Sequence, residues 1–179
     1  NCLITSNRCL TGTDRVAEVS RVISAKQYIN LQGDEPIFPS DEIKYFLEKC
    51  TINVSEVHTG IISIKNKYDF HNNSIPKMVF TNQRKLLYSS RASIPANKTG
   101  EFNFGYKHVC VYAFNKKHLD LFAKNQNKTM FEGEEDLEIN RFLELGVDVN
   151  CIELKNCGKA VDNFEDLAAV KKIIQTANL

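Results

Sequence analysis

Two periodicities alternate along the chain. Residues 13–24, "TDRVAEVSRVIS", set Val16, Val19, Val22 and Ile23 on one helical face. The short apolar run "YINL" at 28–31 then reads as a buried strand. Ser40 is expected to cap a helix through "DEIKYFLEKC", with Ile43, Phe46 and Leu47 turned inward. Runs rich in Ile, Val, Tyr and Phe predict strands at 60–65, 77–81, 86–90 and 107–114. "KKHLDLFAKN" and "EGEEDLEINRFLELG" each read as one helix, the second stopping at Gly146. "VDVNCIEL" is a further strand. A last helix runs through "FEDLAAVKKII", with Asn163 as its cap and Asp166 as the carboxylate three positions on. Helices alternating with short apolar strands argue for an α/β domain built on a mainly parallel sheet.

Bulk composition narrows the partners. The 179 residues suffice for one domain with a sizeable core, and 42% hydrophobic with 25% charged residues is ordinary for a globular chain. A formal net charge of +1 supplies no global field toward nucleic acid or an anionic membrane, so neither is expected as a partner. No apolar run reaches the length of a membrane span, and "NCLITSNRCL" lacks the regions of a secretory signal. The first residue is not methionine, so residues are expected to precede it. Six cysteines, none in a CxxC pair, read as free thiols rather than a zinc or redox motif.

In an α/β sheet, ligands bind beyond the carboxyl ends of the strands. "QGDEP" follows "YINL" at such an end. Gly33 permits a sharp turn, Pro36 fixes the exit direction, and Asp34 and Glu35 lie between them. A turn held from both sides is expected where the aim of an acidic side chain matters. An acidic residue that merely caps a turn is the competing reading.

"TGTDRVAEV", "NLQGDEPIFP", "LLYSSRASIP", "YKHVCVYAF", "LEINR" and "AVDNFEDL", in this order, resemble motifs of the CMP-Kdo synthetases, also called 3-deoxy-manno-octulosonate cytidylyltransferases. The likeness runs from about Cys2 to Val170. It implies a single domain over 1–179, N-terminally incomplete. The implied fold is a three-layer α/β sandwich on a mainly parallel, Rossmann-like sheet of the nucleotide-diphospho-sugar transferase kind. The implied reaction moves CMP from CTP to the anomeric hydroxyl of a 2-keto-3-deoxy sugar acid and releases pyrophosphate, in the cytoplasm, for lipopolysaccharide or capsule assembly. Both reactants are anionic, and Mg²⁺ held by Asp34 and Asp162 would offset that charge. By the same resemblance Gln32, Arg91, His108, Tyr112 and Glu138 bind the sugar acid. Arg91 supplies a fork suited to a carboxylate. His108 and Tyr112, four apart on a strand, share a face. Thr11, Gly12, Thr13 and Arg15 would lie near the nucleotide, with Thr13 as the cap of a helix whose N-terminus attracts phosphate. The family is dimeric, and the segment around 86–114 would supply the interface of a homodimer.

The chain departs from the family pattern in three ways. The family's "PAR-x-x-S-x-R-L-P-G-K-P" loop, which cradles the CTP phosphates, has no counterpart, and neither has the family's first strand. Ile139 stands where the family has a glutamine beside the sugar-binding glutamate, and an unpaired buried hydroxyl would weaken sugar binding by about 1–3 kcal/mol. Cys9 replaces a histidine, and Cys110 and Ala160 replace glycines, Cys110 narrowing the pocket. These changes keep two further readings open: a nucleotide- or sugar-binding remnant without turnover, and an enzyme activating sialic- or legionaminic-type acids.

Overall fold

The computed structural model describes residues 2–54, 56–161 and 163–177. Its elements in chain order are α1 (Gly12–Val19), β1 (Tyr28–Leu31), α2 (Ser40–Ile52), β2 (Val57–Ser63), α3 (Lys67–His71), β3 (Lys77–Phe80), β4 (Leu86–Ser90), β5 (Tyr106–Phe114), α4 (Lys116–Phe122), α5 (Met130–Glu135), α6 (Ile139–Glu144), β6 (Val149–Glu153) and α7 (Phe164–Ala177).

The strands form one sheet in the order β4-β3-β5-β2-β6, with β1 also paired to β5. β1, β2, β3 and β6 run one way, while β5 and β4 run the other. The shared direction matches the expectation from alternating helices and strands. Because β5 lies reversed among the others, however, β2 with β6 is the only directly hydrogen-bonded pair of named strands that is parallel among the described residues. The sheet is therefore mixed.

Side-chain alternation along β5 divides the interior into two cores. Tyr112 and Phe114 face Ala17 of α1, Leu119 and Phe122 of α4, and Ile139 and Phe142 of α6. Val109, Val111 and Ala113 face Phe46 and Cys50 of α2, together with Leu154 and Cys157. Helices thus cover both faces of the sheet, which gives three layers. Among the described residues no helix is long and apolar enough to cross a membrane.

Local chemistry moves several expected boundaries. Thr11, not Thr13, caps α1: its Oγ1 accepts from the Asp14 N–H at 3.2 Å, and the Asp14 carboxylate accepts from the Thr11 N–H at 3.0 Å. The helix ends by Ser20, so Val22 and Ile23 stand 72% and 46% exposed instead of facing the core. Ser40 is the first helical residue of α2 rather than its cap, a position taken by Pro39. The long helix expected over 132–146 is two helices, because Asp136 adopts a left-handed conformation (φ 52°) that ends α5. Gly146, at φ 71°, stops the second one as expected. Asn163 caps α7 through its side-chain oxygen, which accepts from the Asp166 N–H at 2.9 Å.

Candidate active site

A cleft of about 880 Å³ opens at the carboxyl end of β1. Thr11, Gly12, Gln32, Asp34, Arg91, His108, Tyr112 and Glu138, drawn from across the sequence, all line it. The fold therefore gathers most of the residues singled out from the sequence. Thr13 is buried beneath the wall instead. The Arg15 guanidinium is turned to Thr5 and Ser6, outside the cleft. Asp162 lies outside the described residues.

The carboxylate of Glu138 is the hinge point of one wall. It accepts from the Thr13 N–H at 2.8 Å and from Gln32 Nε2 at 3.0 Å. Burial raises its pKa, opposed by the Thr13 N–H. Glu138 thus ties the N-terminus of α1 to the strand end that carries "QGDEP". A phosphate approaching that helix end would meet a carboxylate already seated there. Gly12 allows the close approach: a Cβ at this position would lie 3.1 Å from Asn30 Nδ2 and 3.5 Å from Gln32 Nε2.

His108 and Tyr112 project from one face of β5, as their spacing predicts, with ring centroids 5.4 Å apart. His108 is buried, and its Nε2 hydrogen-bonds Thr59 Oγ1 at 2.9 Å, while Nδ1 has no partner among the described residues. Burial pushes its pKa down to about 4, so the ring is neutral at physiological pH. Cys110 lies between the two rings on the same face and lines the cleft. Its thiol is pushed up to about 12 by burial and stays protonated.

Arg91 is not a loose strand-end arginine. Its Nε donates to Glu135 O at 2.6 Å, and its terminal nitrogens donate to Asn73 O at 3.2 Å and Asp136 O at 3.3 Å. A guanidinium has five N–H donors, so this clamp leaves two for a ligand.

Asp34 is exposed at the cleft mouth, and its backbone oxygen accepts from the Val161 N–H at 2.8 Å. That bond holds the segment just before Asp162 against the "QGDEP" turn. Among the described residues no cluster of three or more His, Cys, Asp or Glu makes an all-protein metal cage. Mg²⁺ does not require one: it binds through one or two carboxylates plus substrate oxygens and water. An open carboxylate inside a large polar cleft fits that chemistry.

Ile139 is the clearest departure from the sequence reading. It is fully buried in the core against α1 and α4 and does not line the cleft. One residue on a helix turns the side chain by about 100°, which separates Glu138 at the cleft from Ile139 in the interior. The contacts that sequence reasoning missed are charged groups made invisible by burial. Lys77, Glu132 and Arg141 are all fully buried. Glu135, beside them, accepts from the Arg91 N–H at 2.8 Å and from Ser90 Oγ at 2.6 Å.

A family model described as cytidylyltransferase matches residues 1–151. A 3-deoxy-manno-octulosonate cytidylyltransferase from Koribacter versatilis is 34% identical over 99% of this chain and 68% of its own length. That from Chloroherpeton thalassium is 32% identical over 96% of this chain and 71% of its own length. Among solved structures, a CMP:2-keto-3-deoxy-manno-octonic acid synthetase complexed with CTP superposes with a TM-score of 0.89 at 29% identity, covering 98% of this chain and 72% of its own. HddC from Yersinia pseudotuberculosis, at 15% identity and a TM-score of 0.64, shares the fold.

Proposed function

The chain belongs to the cytidylyltransferase family, and from that premise we propose that it moves CMP from CTP to the anomeric hydroxyl of a 2-keto-3-deoxy sugar acid, releasing pyrophosphate. The sugar is Kdo or a close relative, and the product feeds lipopolysaccharide or capsule assembly in the cytoplasm. One observation carries this reading: a single cleft collects Asp34, Arg91, His108, Tyr112, Gln32 and Glu138 from distant parts of the chain. Ile139, buried in the core, gives no ground for a sugar other than Kdo, whereas Cys110 and Ala160 do line the cleft.

Each group has a task its surroundings suit. The two unspent N–H groups of Arg91 hold the sugar carboxylate, and the backbone clamp fixes their direction. Neutral His108 lines the sugar pocket, with Thr59 fixing its ring. Gln32 and Glu138, already bonded to each other, present their remaining polar atoms to further hydroxyls. Asp34, with Asp162, would hold Mg²⁺, which when bound neutralises phosphate charge and makes the attacking hydroxyl more acidic. The chain acts as a homodimer through the 86–114 segment, where Leu87 and Phe104 stand 60% and 62% exposed.

The test is pyrophosphate release from CTP and Mg²⁺ by the full-length protein, across Kdo, other 2-keto-3-deoxy acids and sialic-type acids. Release with Kdo is expected. Asp34→Asn should cut kcat by about a hundredfold or more while CTP Kd moves far less, because the metal's interactions strengthen in the transition state. No release with any acid, or equal losses in kcat and CTP affinity, would overturn the assignment.

A further inference from the structure

The first residue of β3 is a lysine with no solvent exposure, placed between Ser90 of β4 and Lys107 of β5. A buried ammonium is costly unless its N–H groups find acceptors. Lys77 Nζ finds two: Asn72 O at 3.0 Å and Arg91 O at 2.5 Å. Neither acceptor carries a charge. Burial and the neighbouring Arg91 lower its pKa, and Glu135 partly offsets them. An apolar side chain of the same length would fill this space without that penalty. What it would lose is the connection between two chain segments.

Those segments form one wall of the cleft. Asn72, Ser74, Ile75, Pro76 and Arg91 all line it. They are joined twice: Lys77 bridges Asn72 O to Arg91 O, and the Arg91 guanidinium reaches back to Asn73 O. The backbone of Arg91 is thus gripped from both sides, by Lys77 at its carbonyl and by the Glu135 carboxylate at its N–H.

We propose that Lys77 is a positioning residue for sugar-acid recognition, holding the Arg91 backbone and the 72–73 turn so that the guanidinium keeps a fixed direction into the cleft. The proposal rests on Arg91 binding the sugar carboxylate, but its core claim concerns Arg91 alone and can be read without turnover.

The first measurement is the Arg91 Nε–H resonance in ¹⁵N-labelled protein. In the wild type this proton is donated to Glu135 O and should give a sharp, exchange-protected signal. In Lys77→Met it should broaden or exchange fast. The Arg141 Nε–H, bonded to Glu132 in a separate network, should persist and report an intact fold. An unchanged Arg91 signal would overturn the proposal, whether or not the protein turns over CTP. Should Lys77→Met lose the Arg141 signal as well, the same reading is made on Lys77→Gln, which keeps a polar head but is one bond shorter than lysine and should fail to span both carbonyls. The second measurement is kinetic. Lys77→Met should raise the sugar KM about tenfold, the size of a single lost polar interaction, while the CTP KM stays within about twofold. Added to Arg91→Lys, which alone raises the sugar KM, Lys77→Met should do little more, since it acts through the same group. Fully additive effects, or equal rises in both KM values, would mark Lys77 as a general packing residue.

Discussion

His108 pairs one ring nitrogen with Thr59 and leaves the other buried and unpartnered among the described residues, in a setting that strongly disfavours charge. This has a consequence for stability. The unfolded chain takes up a proton near pH 6.5, but the folded chain does not until about pH 4. The depressed value means that the His108 contribution is complete above pH 6.5 and is lost as pH falls through that window. At about 1.4 kcal/mol per unit, the loss is of order 3 kcal/mol by pH 4. His108→Gln should therefore lose urea stability less steeply than the wild type between pH 6.5 and 4, and parallel slopes would rule out a neutral buried ring. The sequence placed His108 correctly because strand spacing fixes which side chains share a face. It misplaced Ile139 because neighbouring positions at a helix start look alike in a motif but point into different surroundings.

At the scale of elements, the strands were legible and the helix joints less so. Alternating apolar runs marked β1 through β6 within a few residues, since a sheet buried on both faces leaves a dense apolar signal. The break between α5 and α6 left no such mark, because the left-handed residue is Asp136 rather than glycine. What holds the two helices at their angle was equally hidden. Arg141 of α6 donates to both oxygens of Glu132 of α5, at 2.6 and 2.5 Å, and to Asp14 of α1 at 3.1 Å, with its guanidinium 3.8 Å over the Phe122 ring. On a helical wheel these charges read as solvated faces, yet Arg141 and Glu132 are fully buried. Glu132→Ala should cost about 3–5 kcal/mol in urea unfolding, because it strands a buried guanidinium. Replacing both partners, Glu132→Leu with Arg141→Met, should recover much of that loss. A single-variant cost below about 1 kcal/mol, the scale of an exposed pair, would show that water reaches the site.

Across the whole molecule, the site depends on late and early parts of the chain closing on each other. The early strand end presents Asp34, and the segment after β6 returns to it, with the Val161 N–H on Asp34 O. The return is shaped by Gly158, which sits at φ 72°, where a Cβ would lie 2.6 Å from Ile37 O and 3.0 Å from Ile37 C. The obstacle is backbone, so it cannot swing aside. Cys157, just before it, is buried in the core under α2, which leaves the segment little freedom to shift as a unit. Gly158→Ala combines a left-handed alanine, about 1–2 kcal/mol, with a displaced strap. The sheet and its two cores should survive, because none of their packing passes through Gly158 except at Cys157. The expected result is a small fall in urea stability with a much larger fall in pyrophosphate release, together with faster proteolytic cleavage between 155 and 163. If turnover and cleavage both match the wild type, the strap does not shape the Asp34 side of the cleft.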